Sequence, residues 1–206
     1  MLEAITGALR ASLATFILCG LIYPLALTAL GQALMPFQAN GSLVLNNNGR
    51  VLGSLLIGQQ WNDPKWFHGR PSATTDSDPN DPSKTFPAPY NAGNSGASNL
   101  GPTSKELEER LVNDWKALDD AEPDVTSEAL PADVLTTSAS GLDPDITPAN
   151  AYLQARRVAK ARGVAPAQIE ALIDQNIIPR SLGIFGEPRV NVLQLNLALS
   201  KQFPAK

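Results

Sequence analysis

Hydrophobic and polar positions divide the chain sharply. Between Ala11 and Gly49 there is no Asp, Glu, Lys or Arg, and residues 11–34 are almost wholly apolar. As a helix that stretch is about 36 Å long, enough to cross a ~30 Å hydrocarbon layer. It lacks the polar face that a helix packed on a soluble core needs. A cleaved signal peptide is the other reading, with Arg10 as basic flank and a cut after Ala29-Leu30-Gly31. The apolar run continues well past Pro24, which favours an uncleaved anchor. Pro24 removes one backbone donor and predicts a bend, tolerated in a membrane when a neighbour resupplies the bond. Gly7, Gly20 and Gly31, with Ala14 and Thr28, are small enough to admit a second helix or to face lipid.

Beyond the anchor the periodicity changes. Residues 42–45 and 51–58 are apolar and partly β-branched around Asn46-Asn47-Asn48-Gly49, which predicts a hairpin weakened or bulged at its glycines. Trp61, Trp66 and Phe67 predict an aromatic cap on a core or a partner surface. Residues 71–101 carry 23 Gly, Pro, Ser, Thr, Asn or Asp among 31 and read as a flexible loop. Thr103 and Glu106 form a capping box for a helix with Leu107, Leu111, Trp115 and Leu118 on one face and a Glu106–Arg110 pair. Residues 119–131 read as an acidic connector, and 134–137 as a short strand. Thr147 caps a helix that starts at Pro148 and stops at Gly163. Pro166 starts another, with Ile169, Leu172, Ile173 and Ile177 inward and Pro179 as its stop. Asn191 caps the last, with Gln194 three residues on, a Val190–Leu195 staple and a stripe of Val192, Leu195 and Leu199.

The chain has 206 residues, of which about 170 follow the anchor, enough for one domain with its own core. Sixteen basic and twenty acidic residues give a net charge of −4, with no basic excess to suggest nucleic acid. The single cysteine, Cys19, excludes a disulfide within the chain. Arg10 and the amino terminus precede the anchor, and no basic residue follows it until Arg50. That asymmetry favours the N-terminus inside and the large domain outside.

Candidate chemistry is sparse. The only histidine, His68, stands beside Gly69 and Arg70, with no second His or ligating Cys nearby to form a transition-metal site. No G-x-S-x-G elbow supplies a nucleophile for it. Asp76, Asp78 and Asn80 begin like a calcium loop, but Asp81 and Pro87 stand where Gly and Glu are required. There is no Walker A motif, no kinase or Rossmann glycine motif, and no Asp-Lys-Thr-Gly phosphorylation motif. Arg156, Arg157, Lys160 and Arg162 gather at a helix C-terminus, as a solvated basic face or a site for lipid phosphates or an acidic partner.

Six stretches resemble, in order, the C-subunit family of potassium-transporting ATPases, KdpC. They are PFQANGSLV from Pro36, FHGRPSA from Phe67, YNAGNSGASNLGP from Tyr90, SASGLDPDITP from Ser138, RVAKARG from Arg157 and GEPRVNVLQLNLAL from Gly186. The resemblance implies an α+β architecture: residues 1–10 a cytoplasmic tail, 11–34 one transmembrane helix, and 35–206 a single mixed α/β extracytoplasmic domain with its flexible loop at 71–101. It implies a non-catalytic subunit in a bacterial inner membrane, single-pass, with no cofactor of its own; ATP and K⁺ are handled by the complex. The implied partners are the channel-like A subunit, the P-type ATPase B subunit, the small F subunit and membrane lipid, not nucleic acid. Its implied role is a catalytic chaperone that raises the ATP affinity of the B subunit, and the family is often labelled nucleotide-binding. An outside domain cannot touch cytosolic ATP, so the effect would pass through helix contacts; a domain facing the cytoplasm would allow direct contact, with the basic cluster at Arg156–Arg162 as its first candidate.

Tyr90, Asn91, Asn94, Ser95, Ser98 and Asn99 are then candidates for an interface at a partner or the outer K⁺ entrance. His68, Gly69, Arg70, Ser138, Ser140, Gly141, Asp143 and Asn191 are candidate structural or interface positions, and Gly20, Pro24 and Gly31 candidate helix-packing positions. The alternative from another class is a free-standing, membrane-anchored extracytoplasmic binding or hydrolase domain.

Overall fold

The computed structural model describes residues 1–122, 125–126 and 130–204. The chain forms two compact units, Met1–Ser54 and Leu55–Lys206. In the first, one apolar helix runs from Leu2 to Leu34, so residues 2–10 are its opening turns. Its 33 residues make it about 50 Å long, and by length and composition it can cross a membrane. It comprises α1 (Leu2–Thr15), a π-helical segment (Phe16–Ile22) and α2 (Tyr23–Leu34), with Pro24 in the first turn of α2. Thr6 Oγ1 donates to Leu2 O and Thr15 Oγ1 to Ala11 O, both at 2.9 Å, so these hydroxyls return to their own backbone.

A one-turn helix α3 (Pro36–Ala39) follows. Asn40 Nδ2 donates to Pro36 O at 2.6 Å, and Ser54 Oγ to Gly41 O at 2.7 Å. Strands β1 (Leu43–Leu45) and β2 (Val51–Ser54) form the expected antiparallel hairpin. Asn46 Oδ1 accepts the N–H of Asn48 and of Arg50 in the turn, and Gly49 takes φ +76°. The register shifts between Val44 and Leu45, and β2 stops at Ser54, short of the expected Gly58.

The second unit is built around α5 (Pro148–Arg162), α6 (Pro166–Asn176) and α7 (Val192–Gln202), with a small antiparallel sheet ordered β5-β7-β6. Its strands are β5 (Asp145–Ile146), β6 (Ile177–Ile178) and β7 (Arg189–Asn191). Ala151, Ala155, Val158 and Ala159 make the buried face of α5, small enough for close approach. Ile169, Leu172 and Ile173 of α6 join the same core as Val192, Leu195 and Leu199 of α7, with Phe67 fully buried beside them.

Local signals place these helices. Thr147 accepts from Asn150 N, Gly163 ends α5 at φ +68°, and Asn191 accepts from Gln194 N at 3.1 Å. Val190 and Leu195, the expected staple, are both buried. Helix α6 ends at Asn176, so Ile177 opens β6 instead of extending the helix.

Four expectations need correction. Residues 71–101 contain a hairpin, β3 (Thr75–Asp78) and β4 (Asp81–Pro87), whose polar residues lie mostly exposed. Helix α4 (Lys105–Ala121) is capped by Ser104, not Thr103, because the Ser104 backbone is extended and its hydroxyl accepts from Leu107 N. Arg110 pairs forward with Asp114 at 2.7 Å and donates to Leu135 O at 3.0 Å, not with Glu106. Residues 134–137 form no strand: Ala132–Val134 is a 3₁₀ turn in which Asp133 receives Thr147 N, Thr147 Oγ1 and Asn150 Nδ2. Of the expected connector, Pro123, Asp124, Ser127, Glu128 and Ala129 lie outside the described residues.

The irregular segment around Phe67 is held by amide side chains. Asn196 Oδ1 accepts Phe67 N–H at 2.8 Å while its Nδ2 donates to Phe67 O at 2.9 Å. Gln154 does the same for His68, at 2.8 and 3.0 Å. Each amide stands in for one rung of a strand partner. Replacement Asn196→Ala leaves two buried backbone groups unpaired, and chemical denaturation should read a loss of about 3 kcal/mol.

Candidate functional site

The segments the sequence singled out converge in the second unit. Residues 90–96 lie against residues 72–75 and 138–143, joined by side chains instead of strand ladders. Ser72 Oγ donates to Gly141 O at 2.7 Å and accepts Tyr90 N–H at 3.0 Å. Thr74 Oγ1 donates to Ala88 O at 2.6 Å and accepts Asn91 N–H at 3.1 Å. Asn91 and Asn94 both donate to Thr75 O, at 3.0 and 2.8 Å. Ser95 Oγ and Gly96 N–H both reach Ser140 O at 2.9 Å. Asn99, at φ +52°, donates to Ala97 O at 3.3 Å, and Ser98 is half-buried nearby. Ser138 is buried and contacts Ser140 Oγ, which accepts Leu142 N–H.

Gly141 has a steric reason to be glycine. It sits at φ +66°, and a Cβ there would come within 2.7 Å of Gly96 O. Gly69 is similarly confined, since a Cβ would meet the Tyr90 hydroxyl.

Arg70 is the electrostatic centre of this joint. Its Nη1 pairs with Asp143 Oδ2 at 3.1 Å, and Nε and Nη2 donate to the Thr136 and Thr137 carbonyls. Asp143 Oδ1 also accepts Asp145 N–H. The Tyr90 hydroxyl donates to Arg70 O at 2.6 Å. Burial, with the Asp143 charge adding to it against Arg70, pushes this phenol up to about 12.

Asn191 serves two partners besides its cap, donating to Leu55 O at 3.0 Å and to Asp145 Oδ1 at 3.1 Å. Burial raises the Asp145 carboxyl above its usual range, against Asn191 and Arg189.

His68 does not join this joint through its ring. Its Nε2 lies 3.2 Å from Asp63 O, and burial, helped by the Arg157 charge, holds the imidazole below its ordinary value. A cleft of about 570 Å³ is lined by His68, Arg70, Tyr90, Gln154 and Arg157. Its two arginines are already engaged, Arg70 as above and Arg157 with Glu122 at 2.9 Å, Pro64 O at 2.6 Å and Gln154. Arg162 likewise turns inward, donating to Lys65 O and Phe203 O and lying 4.4 Å over the Trp66 ring. Two members of the basic cluster are therefore structural ties. Among the described residues no group of three or more His, Cys, Asp or Glu is placed to hold a metal ion.

Sequence reading missed Ser72 and Thr74, whose hydroxyls carry much of the joint, and the amides Gln154 and Asn196. The available signal was an amide on an apolar helical stripe, Gln154 among Ala151, Ala155 and Val158, and Asn196 among Val192, Leu195 and Leu199. It also missed an apolar turn: Leu182, Ile184 and Phe185 are 89%, 69% and 61% exposed between Arg180 and Glu187.

The Tyr90 phenol gives a pH prediction. The folded state keeps its proton more tightly than the unfolded chain, whose tyrosine titrates near 10. Its contribution is complete below pH ~10 and declines as pH rises toward about 12. Thermal melts of Tyr90→Phe should show a loss of about 1 kcal/mol at neutral pH and a flatter decline between pH ~10 and ~12 than the parent.

The profile of the family described as K⁺-transporting ATPase, c chain (KdpC) matches residues 5–201. The chain is 54% identical over 199 residues to the potassium-transporting ATPase KdpC subunit of Rhodopseudomonas palustris (strain BisB18), covering 97% of this chain and 98% of that one. It is 53% identical over 201 residues to the protein of the same name from Bradyrhizobium diazoefficiens, covering 98% of each. A Bradyrhizobium sp. (strain BTAi1) protein of that name is 53% identical over 199 residues, 97% of each. The chain belongs to the KdpC family.

Proposed function

We propose that the chain is the non-catalytic C subunit of an ATP-driven, high-affinity potassium uptake complex. Its single apolar helix anchors it in a bacterial inner membrane beside the A, B and F subunits, with the N-terminus inside and the second unit outside. The observation that carries this reading is the full-length family match together with one N-terminal helix able to span a membrane.

The joint around Arg70 supports a binding role for the loop at residues 90–101. Asn94, Ser95 and Asn99 each donate one hydrogen bond that fixes the loop's shape, and being exposed they also present a polar, uncharged surface. Such a surface suits the outer K⁺ entrance of the A subunit, where a cationic patch would repel the ion. The exposed Leu182, Ile184 and Phe185 suit a protein partner, since apolar side chains clustered on one turn are what an interface core buries.

The catalytic-chaperone effect on the B subunit fits a coupling free energy carried through helix contacts. With the second unit outside, ATP reaches neither its cleft nor its basic helix.

Two experiments test this reading. Impermeant thiol labelling of Ser104→Cys in a Cys19→Ser background should modify intact cells only if the second unit is outside; protection until lysis rejects that topology. Replacing Asn94, Ser98 and Asn99 together by Ala should weaken the apparent K⁺ affinity of the assembled complex by about 3-fold or more, as loss of roughly one hydrogen bond implies. Unchanged affinity with normal assembly removes the loop from the K⁺ path.

A further inference from the structure

The centre of the apolar helix leaves backbone acceptors without donors. Residues Phe16–Ile22 follow the five-residue register of a π-helix, and at its end Tyr23 N–H donates to Leu18 O. The next donor would belong to position 24, which is proline and has none. Leu25 N–H reaches Gly20 O in a five-residue register or Leu21 O in a four-residue one. Cys19 O is left out in both, because Tyr23 is engaged and Pro24 has no hydrogen. One of Gly20 O and Leu21 O shares its state.

These oxygens lie deep. Cys19 is the 18th of 33 helical residues, roughly 23 to 26 Å from either end. Hydrocarbon supplies no donor at that depth, and an unsatisfied peptide group there is costly. The helix itself cannot repair the gap. Around the break stand Phe16, Ile17, Leu18, Leu21 and Ile22, and the Thr15 hydroxyl already donates to Ala11 O and Ser12 O. A second copy in parallel register would bring the same apolar residues to the same level. Gly20 leaves the backbone accessible: only the Phe16 ring, 3.5 Å away, lies near the place a Cβ would take.

We propose that the turn at Cys19, Gly20 and Leu21 docks a membrane helix of a different polypeptide, which places a side-chain N–H or O–H against these carbonyl oxygens at mid-depth. This rests on the reading above that the helix spans the membrane as part of a larger complex. The break at Pro24 then acts as a recognition feature: it turns an otherwise self-satisfied helix into one that needs a partner. Gly31, near the helix end, takes no part in this contact.

The test is retention of the full chain by an affinity-tagged potassium-transporting ATPase complex after dilution in detergent. Pro24→Ala restores a backbone donor without adding bulk and should weaken retention about 3- to 30-fold, the range for an interhelical hydrogen bond. Gly20→Leu, which blocks approach, should weaken it at least as much, and Thr6→Val, far from the break, should not. Because Pro24→Ala makes the helix more regular, misfolding does not explain its loss. Retention of both variants at the parental level overturns the proposal, as does oxidation of assembled membranes to a Cys19–Cys19 dimer. A parent chain that is never retained refutes the subunit reading itself and is thereby told apart from failure of the helix contact.

Discussion

The constraint on which the second unit depends is that peptide groups of irregular chain must find partners once removed from water. Residues 55–74 and 88–101 have almost no strand ladder to supply them. Side chains do it instead: Asn196 and Gln154 for the Phe67–His68 peptides, Ser72 and Thr74 for the start of the loop at 90, and Asp133 for the first turn of α5. The helical core gives a firm base, but these polar side chains decide where the remaining backbone goes. A long glycine- and serine-rich stretch thereby gains a defined path without becoming a sheet.

The same requirement reads differently in the first unit. Thr6 and Thr15 return their hydroxyls to the backbone of their own helix, which suits a surface facing hydrocarbon. At Pro24, in mid-helix, a backbone donor is missing. Irregularity in the second unit is resolved within the chain, whereas irregularity in the apolar helix is directed outward. On the proposed reading, the two units thus divide the work of a subunit: one keeps its shape unaided, and the other is complete only in company.

Much of the fold was legible from local signals. Thr147, Gly163 and Asn191 mark helix ends through groups within three or four residues, so sequence spacing was enough. The hairpin turn at Asn46–Gly49 is equally local. Errors arose where two local choices competed. Ser104 displaced Thr103 as cap, and Arg110 found Asp114 one turn ahead instead of Glu106 behind. Residues 134–137, Val-Leu-Thr-Thr, are mostly β-branched like a short strand, but Asp133 is drawn under the first turn of α5, and the chain bends to a 3₁₀ turn. The polar run at 71–101 was the least legible. Its order comes from Thr75 within the run and from Arg70 and Ser140 outside it, and the composition of the run does not name those partners. Tyr90, Arg70, Gly141 and Asp143 all stood out in the sequence, yet their meeting is a long-range fact that spacing does not contain.

The Asn196 clamp has a bearing on how the protein is made. The two residues it joins are 129 positions apart, and the helix that carries it is the last in the chain. Phe67 therefore meets its amide partner only once α7 has docked. Contacts so distant slow the search for the final structure, and until α7 docks the Phe67 peptide depends on water for its hydrogen bonds. The last helix thus supplies more than apolar bulk to the core: through one amide it also fixes the backbone of a segment made long before it.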